Sequence, residues 1–229
     1  KEIPLIFTNY VTAEFVKSVD NAYHATKVDF EHEVYSIGAK FGVNVGEANN
    51  IFLMDNILNI SGRYLKPGTP FGGSCLPKDA RAIVHLGKAA DMEIPFFNGV
   101  LASNHAHQQR LLDKVLGFKG NKILLYGLTF KQNTDDIRES PFLFLLKDLL
   151  KNKKDVKIYD PNLNVMSLRI EVPEIVQYIE KDINELAGWA DIIVMNNPAI
   201  EEIVKVTSAK KTVLNCYDNN IYKSVHNLF

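Results

Sequence analysis

One cysteine follows a pair of glycines in the segment 71–79, which reads FGGSCLPKD. The glycines would let a ligand approach the backbone closely, and Pro77 suits the first turn of a helix expected over about 78–90. The N–H groups and the dipole at a helix start stabilise a thiolate and can hold an oxyanion, and Lys78 adds positive charge. Cys75 is therefore predicted either as a nucleophile or as part of a structural turn.

A polar stripe lies along one face of the first predicted helix. Lys17, Asn21 and His24 are separated by four and three residues, so they project from the same side, and Glu31 and His32 extend the stripe. The spacing alone is typical of a solvated helix face. The composition favours a binding surface, because these lysine, asparagine and histidine side chains can donate hydrogen bonds to an anion or a carbonyl. Both interpretations stay open at this point.

A third polar segment, residues 127–140, joins a predicted strand to a predicted helix. Open α/β sheets bind their ligands at the carboxyl ends of strands, and Lys131 and Arg138 could reach phosphate groups there. An ordinary connection with solvated charges is the alternative. The segment has no GxGxxG pattern, so it is not a dinucleotide fingerprint.

The elements that must position these residues change in type near Gly117. Residues 11–117 read as helices, whereas later apolar runs predict buried strands that alternate with helices, which is typical of a parallel sheet with helices on both faces. The predicted helices are 13–40 with Thr12 as its cap, 46–60, 78–90, 98–116 and 141–150, and the predicted strands are 122–127, 156–159, 191–195 and 212–216. The apolar residues of the first helix share one wide face: Phe15, Val19, Ala22, Phe30 and Ile37.

The composition is that of an ordinary globular protein. The chain has 229 residues, 46% of them hydrophobic, and a net charge of −1, which favours neither a nucleic acid nor an acidic partner. No apolar run approaches the roughly 20 residues of a membrane helix. Cys75 and Cys216 show no metal-ligand spacing, Cys216 reads as a buried structural thiol, and a cytoplasmic, reducing setting is expected. The opening residues contain no methionine, so we expect an internal boundary there.

Three segments together resemble the UDP-glucose/GDP-mannose dehydrogenase family. They are residues 13–27 with the run NAYHATK, the segment 71–79, and residues 130–140 with Phe130-Lys131, Thr134-Asp135-Asp136 and Arg138-Glu139-Ser140. They cover nearly the whole chain and stand in the family's order. His24 within NAYHA and the run YLKPG at 64–68 resemble the GDP-mannose branch of the family.

The resemblance implies an α + α/β chain. Residues 1–10 would be the end of an NAD-binding domain whose main part is absent. Residues 11–117 would be an all-helical central domain that forms a homodimer through the long helix, and residues 118–229 a Rossmann-like, parallel-sheet domain that binds the sugar nucleotide.

The resemblance also implies a reaction and its residues. Family members oxidise the C6 alcohol of a nucleotide sugar to a carboxylate with two NAD⁺. Cys75 would form a thiohemiacetal and then a thioester, Lys17 and Asn21 would stabilise the alkoxide and the oxyanion, and Asp79 would position or activate water. The implied substrate contacts are Lys17, Asn21, His24, His32, Arg63, Tyr64, Lys66, Thr69, Gly72 and Lys131, with Lys131 on a phosphate, and the implied NAD contacts are Lys78 and Arg138.

The sequence departs from the family pattern at three positions. His32 stands where the GDP-mannose branch usually has asparagine, at a position that reaches a neighbouring subunit's site, and a histidine adds pH dependence near its ordinary pKa of about 6.5. Arg63 and Lys66 stand where tyrosine and arginine are usual, and lysine cannot reproduce a bidentate arginine contact.

Three functions follow from this pattern. The first is part of a GDP-mannose 6-dehydrogenase, and the second is part of a UDP-glucose or UDP-hexosamine 6-dehydrogenase. The third, of another class, is a non-catalytic module that binds sugar nucleotides and dimerises.

Overall fold

The computed structural model describes residues 5–40, 42–56, 68–89, 91, 95–130, 133–166, 168, 172–196, 211–216 and 220–222. In chain order its elements are helices α1 (Tyr10–Lys40), α2 (Val45–Phe52), α3 (Leu76–Ala89) and α4 (Pro95–Leu116), strand β1 (Lys122–Tyr126), helix α5 (Pro141–Lys151), strand β2 (Asp155–Tyr159), a 3-10 helix (Pro173–Tyr178), helix α6 (Ile183–Trp189), and strands β3 (Ile192–Met195), β4 (Thr212–Asn215) and β5 (Asn220–Tyr222). A helical part is therefore followed by an α/β part, which confirms the expected fold class.

The first helix begins earlier, and the second ends earlier, than predicted. The side chain of Asn9 accepts a hydrogen bond from the Thr12 N–H at 2.9 Å, so Asn9 caps α1 and Thr12 lies inside its first turn. Helix α2 is capped by Asn44 and stops at Phe52, well before residue 60. Thr12 directly precedes the apolar pattern, which is why the sequence predicted it as the cap. Local spacing does not show which of the nearby polar residues makes the capping hydrogen bond.

Helix α3 begins two residues earlier than predicted. The carbonyl of Cys75 accepts a hydrogen bond from the Asp79 N–H at 2.9 Å, which makes Cys75 the residue that caps the helix. Pro77 is tolerated in this first turn because its missing N–H would have no intrahelical partner there. The predicted placement of Cys75 at a helix start is confirmed.

The sheet has the strand order β2-β1-β3-β4-β5. All four predicted strands are present and parallel, and the short β5 adds an antiparallel edge that the sequence did not predict. Residues Ile123 to Tyr126 of β1 are all buried, because helices cover both faces of the sheet. Ile123 and Leu125 pack in a cluster with α5, whereas Leu124 and Tyr126 pack in one with α6.

Helix α4 joins the two parts of the molecule. Near its start, Val100 packs with Ala25 of α1 and with Phe71. Near its end, Leu111 and Val115 belong to the core on one face of the sheet. The domain boundary after residue 117 stays a prediction, and the α4 core contacts show that the two parts share this helix.

Helix α1 buries a face other than its aromatic one. Ala22, Ala25, Asp29 and His32 are buried, and the helix packs mainly against α3 and also against α4. Phe15, by contrast, is 53% exposed. Two alanines let the helices approach closely, so a small and polar face lies inward. Of the wide apolar face described from the sequence, Ala22 is buried, whereas Phe15, Val19 and Phe30 are exposed. Among the described helices, none has the length and apolar character needed to cross a membrane.

Glu31 predicts a measurable pH dependence of stability. Its side chain is buried in α1, and burial raises the pKa of its carboxyl to about 7. The folded chain therefore holds a proton that the unfolded chain releases near the ordinary glutamate pKa, so stability falls as pH rises from about 4.5 to about 7. We expect Glu31→Gln to gain up to about 3 kcal/mol over the unaltered chain across this range.

Urea unfolding of both chains at several pH values would check this expectation. The difference between the two chains isolates the contribution of Glu31 from that of every other ionisable group. A difference that does not change with pH would contradict the raised pKa.

Candidate active site

The crossing of α1 and α3 brings three of the predicted catalytic residues together. The ammonium of Lys17 and the amide of Asn21 both donate to Oδ2 of Asp79, at 2.7 and 2.6 Å. The Lys78 ammonium lies 3.4 Å from the other carboxylate oxygen. Lys17 and Asn21 precede Asp79 by 62 and 58 positions in the chain. Only the packing of α1 on α3 therefore makes them neighbours of Asp79.

Asp79 is a buried carboxylate whose charge is retained. Its side chain is only 3% exposed, and burial by itself would raise the pKa of the carboxyl. The hydrogen bonds from Lys17 and Asn21 and the charges of Lys17 and Lys78 outweigh burial and hold the pKa below its ordinary value. Asp79 is therefore ionised at neutral pH and available as a hydrogen-bond acceptor.

Cys75 directly precedes α3, four residues before Asp79. Its thiol is exposed, and the hydroxyl of Ser74 lies 3.7 Å from its sulfur. The hydrogen bond to Asp79 raises the pKa of Lys17, and a smaller electrostatic contribution comes from Cys75, so the ammonium lies within electrostatic reach of the thiol. An exposed thiol at a helix start, next to two lysines, has the surroundings of a nucleophile.

The two glycines before Cys75 serve protein packing in this structure. A Cβ on Gly72 would lie 2.3 Å from the carbonyl oxygen of Glu139, and one on Gly73 would lie 2.7 Å from the Phe130 ring. Gly73 also has a φ of +82°, which favours glycine. The sequence suggested that the glycines admit a ligand, whereas the space beside them is filled by the α/β part of the chain.

Asn104 fixes the other side of the cysteine loop, residues 71–75. This buried residue of α4 accepts a hydrogen bond from the Phe71 N–H at 2.9 Å and donates one to the Phe71 carbonyl at 3.0 Å. Its side chain thus pairs with one backbone residue as a neighbouring strand would. The loop is consequently held by α4 on one side and by the α/β part on the other.

A salt bridge connects the two parts next to this loop. The guanidinium of Arg81 in α3 makes a bidentate pair with the carboxylate of Glu139. Glu139 has a φ of +51°, a left-handed conformation that costs a residue with a side chain roughly 1–2 kcal/mol. Strained residues of this kind cluster at functional sites.

The β1–α5 loop, residues 127–140, is anchored at both ends. The Asp160 carboxylate, at the end of β2, accepts hydrogen bonds from the Leu128 and Thr129 N–H groups at 2.8 and 2.9 Å. The buried Ser140 hydroxyl donates to the Leu128 carbonyl at 2.6 Å. Near the far end, Arg138 makes a bidentate pair with Asp136, which holds its guanidinium at the surface.

The remaining predicted contacts fall in different places. His24 lies on α1 one turn beyond Asn21, with its Nε2 3.5 Å from the Asp20 carboxylate. Thr69 is partly buried before the cysteine loop. Arg63, Tyr64, Lys66 and Lys131 lie outside the described residues.

His32 is buried within the chain. Its ring stacks on that of His107 with centroids 3.9 Å apart, and His107 Nε2 donates to the Gly68 carbonyl at 3.0 Å. Burial, with the nearby His107 and Arg110, lowers the pKa of His32 to about 2. The expectation that His32 titrates near pH 6.5 is therefore wrong for this structure, because the interior disfavours the charged ring.

The described residues do not form a dinucleotide site. Asp160 occupies the end of β2, where a dinucleotide-binding domain places the acid that binds ribose, but its carboxylate is turned inward to the Leu128 and Thr129 N–H groups. Lys78 and Arg138 are exposed cations and fit only as outer phosphate contacts. Among the described residues, no group of three or more His, Cys, Asp or Glu side chains could hold a metal ion.

The sequence analysis did not single out Asn104, Arg81 or Asp160. A signal was available for Asn104, since it falls on the apolar face of α4 between Val100 and Leu111, where a polar residue needs a buried partner. Arg81 follows Lys78 by one helical turn, but nothing local indicates that its partner is Glu139. Asp160 directly follows the predicted strand 156–159, and nothing local indicates that its carboxylate bonds the β1–α5 loop.

Asn104→Leu tests how the cysteine loop is held. The variant keeps the size of the side chain and leaves the buried Phe71 N–H and carbonyl without their partner, so we expect a loss of about 2–4 kcal/mol in unfolding free energy. Urea unfolding measures it, with His105→Ala on the exposed face of the same helix as the control. Equal stability of the two variants would contradict the role given to Asn104.

Two family models cover most of the chain. Residues 11–106 match the central domain of the UDP-glucose/GDP-mannose dehydrogenase family, and residues 124–222 match the UDP binding domain of the same family. The GDP-mannose 6-dehydrogenase of Azotobacter vinelandii is 34% identical over 223 residues, which are 93% of this chain and 51% of that protein.

Solved structures show the same fold. A ternary complex of GDP-mannose dehydrogenase from Pseudomonas aeruginosa matches with a TM-score of 0.64 and 31% identity, over 90% of this chain and 49% of that one. A UDP-glucose dehydrogenase from Pyrobaculum islandicum matches with a TM-score of 0.77 and 27% identity, over 94% of this chain and 49% of that one. The chain spans about half the length of these relatives, and it belongs to the UDP-glucose/GDP-mannose dehydrogenase family.

Proposed function

We propose that this chain carries the cysteine site and the nucleotide-binding part of an NAD-dependent nucleotide-sugar 6-dehydrogenase that converts GDP-mannose to GDP-mannuronate. The observation that carries the proposal is the arrangement of Cys75 at the start of α3 beside the cluster of Lys17, Asn21 and Asp79. An exposed thiol, two hydrogen-bond donors and an ionised carboxylate are the groups needed to oxidise an aldehyde through a covalent intermediate.

Cys75 forms and breaks the covalent bond. Its thiolate adds to the C6 aldehyde and gives a thiohemiacetal, whose two-electron oxidation gives a thioester. Water then attacks the thioester carbonyl, which releases the sugar carboxylate and restores the thiolate. Sulfur suits this sequence because a thiolate is both a good nucleophile and a good leaving group.

Lys17 and Asn21 act on the oxygen that becomes negatively charged. In the structure each already donates to Asp79, but an ammonium has three N–H donors and an amide two, so both have capacity left for a substrate oxygen. Asp79 keeps both donors at the site and can position the attacking water by accepting a hydrogen bond from it. Losing one such oxyanion donor typically costs about 10²–10³ in rate.

The electron acceptor in this proposal is two NAD⁺, which take up the four electrons released between alcohol and carboxylate. Lys78 and Arg138 would contact NAD⁺ phosphates from outside the cofactor's own domain. Both are exposed cations, Lys78 three residues from Cys75 and Arg138 on the β1–α5 loop.

The nucleotide assignment rests on similarity and on His24. The Azotobacter vinelandii relative is named a GDP-mannose 6-dehydrogenase. His24 lies one turn beyond Asn21 on α1, where it would face the sugar nucleotide together with Thr69 and Gly72. Arg63, Tyr64, Lys66 and Lys131 complete the proposed contacts, whereas the His32 ring is buried against His107 and is not among them. UDP-glucose or a UDP-hexosamine is the alternative substrate.

A homodimer through α1 is part of the proposal. Large apolar side chains of this helix are exposed along much of its length. They include Tyr10 and Val11 in its first turn, and Phe15 and Phe30 further along. Covering such a face stabilises an assembly through burial of apolar area. The same face favours the second candidate, a non-catalytic module that binds sugar nucleotides and dimerises.

A cytoplasmic setting fits the two cysteines, neither of which takes part in a disulfide.

Alkylation separates an active cysteine site from an inert scaffold. At neutral pH we expect iodoacetamide to modify Cys75 in the folded chain at least about three times faster than Cys216 in denaturant, because a helix start with lysines nearby is the environment of a reactive cysteine. Lys78→Met should slow the reaction, whereas Lys88→Met, in the last turn of the same helix, should not. A Cys75 rate no faster than that of unfolded Cys216 would argue against an activated thiol.

Calorimetric titration with GDP-mannose and with UDP-glucose tests the substrate. We expect tighter binding of GDP-mannose. A preference for UDP-glucose would reverse the substrate assignment within the family, and binding of neither ligand would contradict the claim that this chain holds the sugar nucleotide.

A further inference from the structure

The segment around Glu139 brings the α/β part of the chain against the cysteine loop. Glu139 lies between Arg138, which pairs with Asp136, and Ser140, whose side chain caps α5. Its own side chain turns away from both and reaches Arg81 in α3, the helix that begins directly after Cys75. One residue of the α/β part is therefore bonded to the helix that carries the cysteine.

The backbone of Glu139 makes a second contact across the same boundary. Its carbonyl oxygen occupies the place where a side chain on Gly72 would lie, and Pro141 fills the neighbouring space, with its Cδ 2.7 Å from the Gly72 Cβ position. Backbone and side chain thus hold the cysteine loop and α3 at two separate points.

The backbone conformation of Glu139 indicates that this contact serves to orient the two segments that it joins. A φ of +51° is rare for a residue with a side chain, and the structure keeps it although glycine would adopt it without strain. A glycine would lack the carboxylate that pairs with Arg81. The fork of Arg81 engages both carboxylate oxygens, a geometry that fixes orientation as well as distance.

We propose that the Arg81–Glu139 ion pair is a positioning contact that holds the β1–α5 loop, with Arg138, in register with the Cys75 loop. This inference rests on the proposed function, since it assigns the pair a role in assembling the sugar-nucleotide site from both parts of the chain. Both partners are substantially exposed, so the pair adds little to overall stability. Its effect lies in the relative placement of the two loops.

Hydrogen exchange measures that placement without any ligand. In Arg81→Met and in Glu139→Gln we expect faster exchange of amides in 71–79 and in 133–140, with unchanged exchange in β1 and β3. Lys157→Met is the matched control, because it removes a partly exposed ion pair with Glu180 inside the α/β part alone. Unchanged exchange in both loop segments would overturn the positioning role.

Titration with GDP-mannose, or with UDP-glucose if that ligand binds better, measures the consequence. We expect each variant to weaken binding about two- to fivefold, as an ion pair of up to about 1 kcal/mol implies. Arg81→Lys should fall between, since it keeps the charge and loses the fork. The double variant should bind no more weakly than either single variant, because both remove the same contact.

The outcomes separate the inference from the proposed function. Faster exchange with weaker binding supports both. Faster exchange with unchanged affinity would overturn the role of the pair in the substrate site, and so would fully additive losses in the double variant. Faster exchange in a chain whose unaltered form binds neither sugar nucleotide would overturn the proposed function while the positioning contact stands.

Discussion

The buried carboxylate of Asp79 is the constraint on which the rest of the site depends. A charge in the interior is tolerated only with hydrogen-bond donors and a nearby charge of opposite sign. Here Lys17 supplies both and Asn21 a neutral donor, and the two come from another helix. Their reach requires α1 to cross α3 at its first turn, which the small side chains of Ala22 and Ala25 permit. That crossing places Cys75, the cap of α3, beside the same donors.

The cysteine loop is held from several directions before any ligand arrives. Asn104 bonds both backbone groups of Phe71, and the two following glycines fit against Glu139 and Phe130. Arg81 adds a charged link one and a half turns into α3. A site built in this way is preorganised, because its geometry is set by packing and hydrogen bonds of the protein.

The α/β part keeps the topology of a nucleotide-binding sheet and uses one of its usual ligand positions for itself. Asp160, at the carboxyl end of β2, bonds the backbone of the β1–α5 loop. The loop is thereby fixed at the edge where open sheets bind ligands, with Arg138 at its far end. The sheet acts as a rigid support for a loop that reaches the cysteine part.

Local sequence patterns predicted the order of the elements and the candidate reactive residues. Unbroken apolar runs predicted the four parallel strands, and the pattern around Cys75 predicted its place at a helix start, because both signals are local. The same patterns misplaced the cap of α1, and they could not show that His32 is held neutral by burial. The contacts of Asp79 with Lys17 and Asn21, and the packing of the glycines against Glu139 and Phe130, come from the folded chain alone. The physical reason is that these partners lie about sixty residues apart in the chain, so their contacts exist only once the helices cross and the two parts meet.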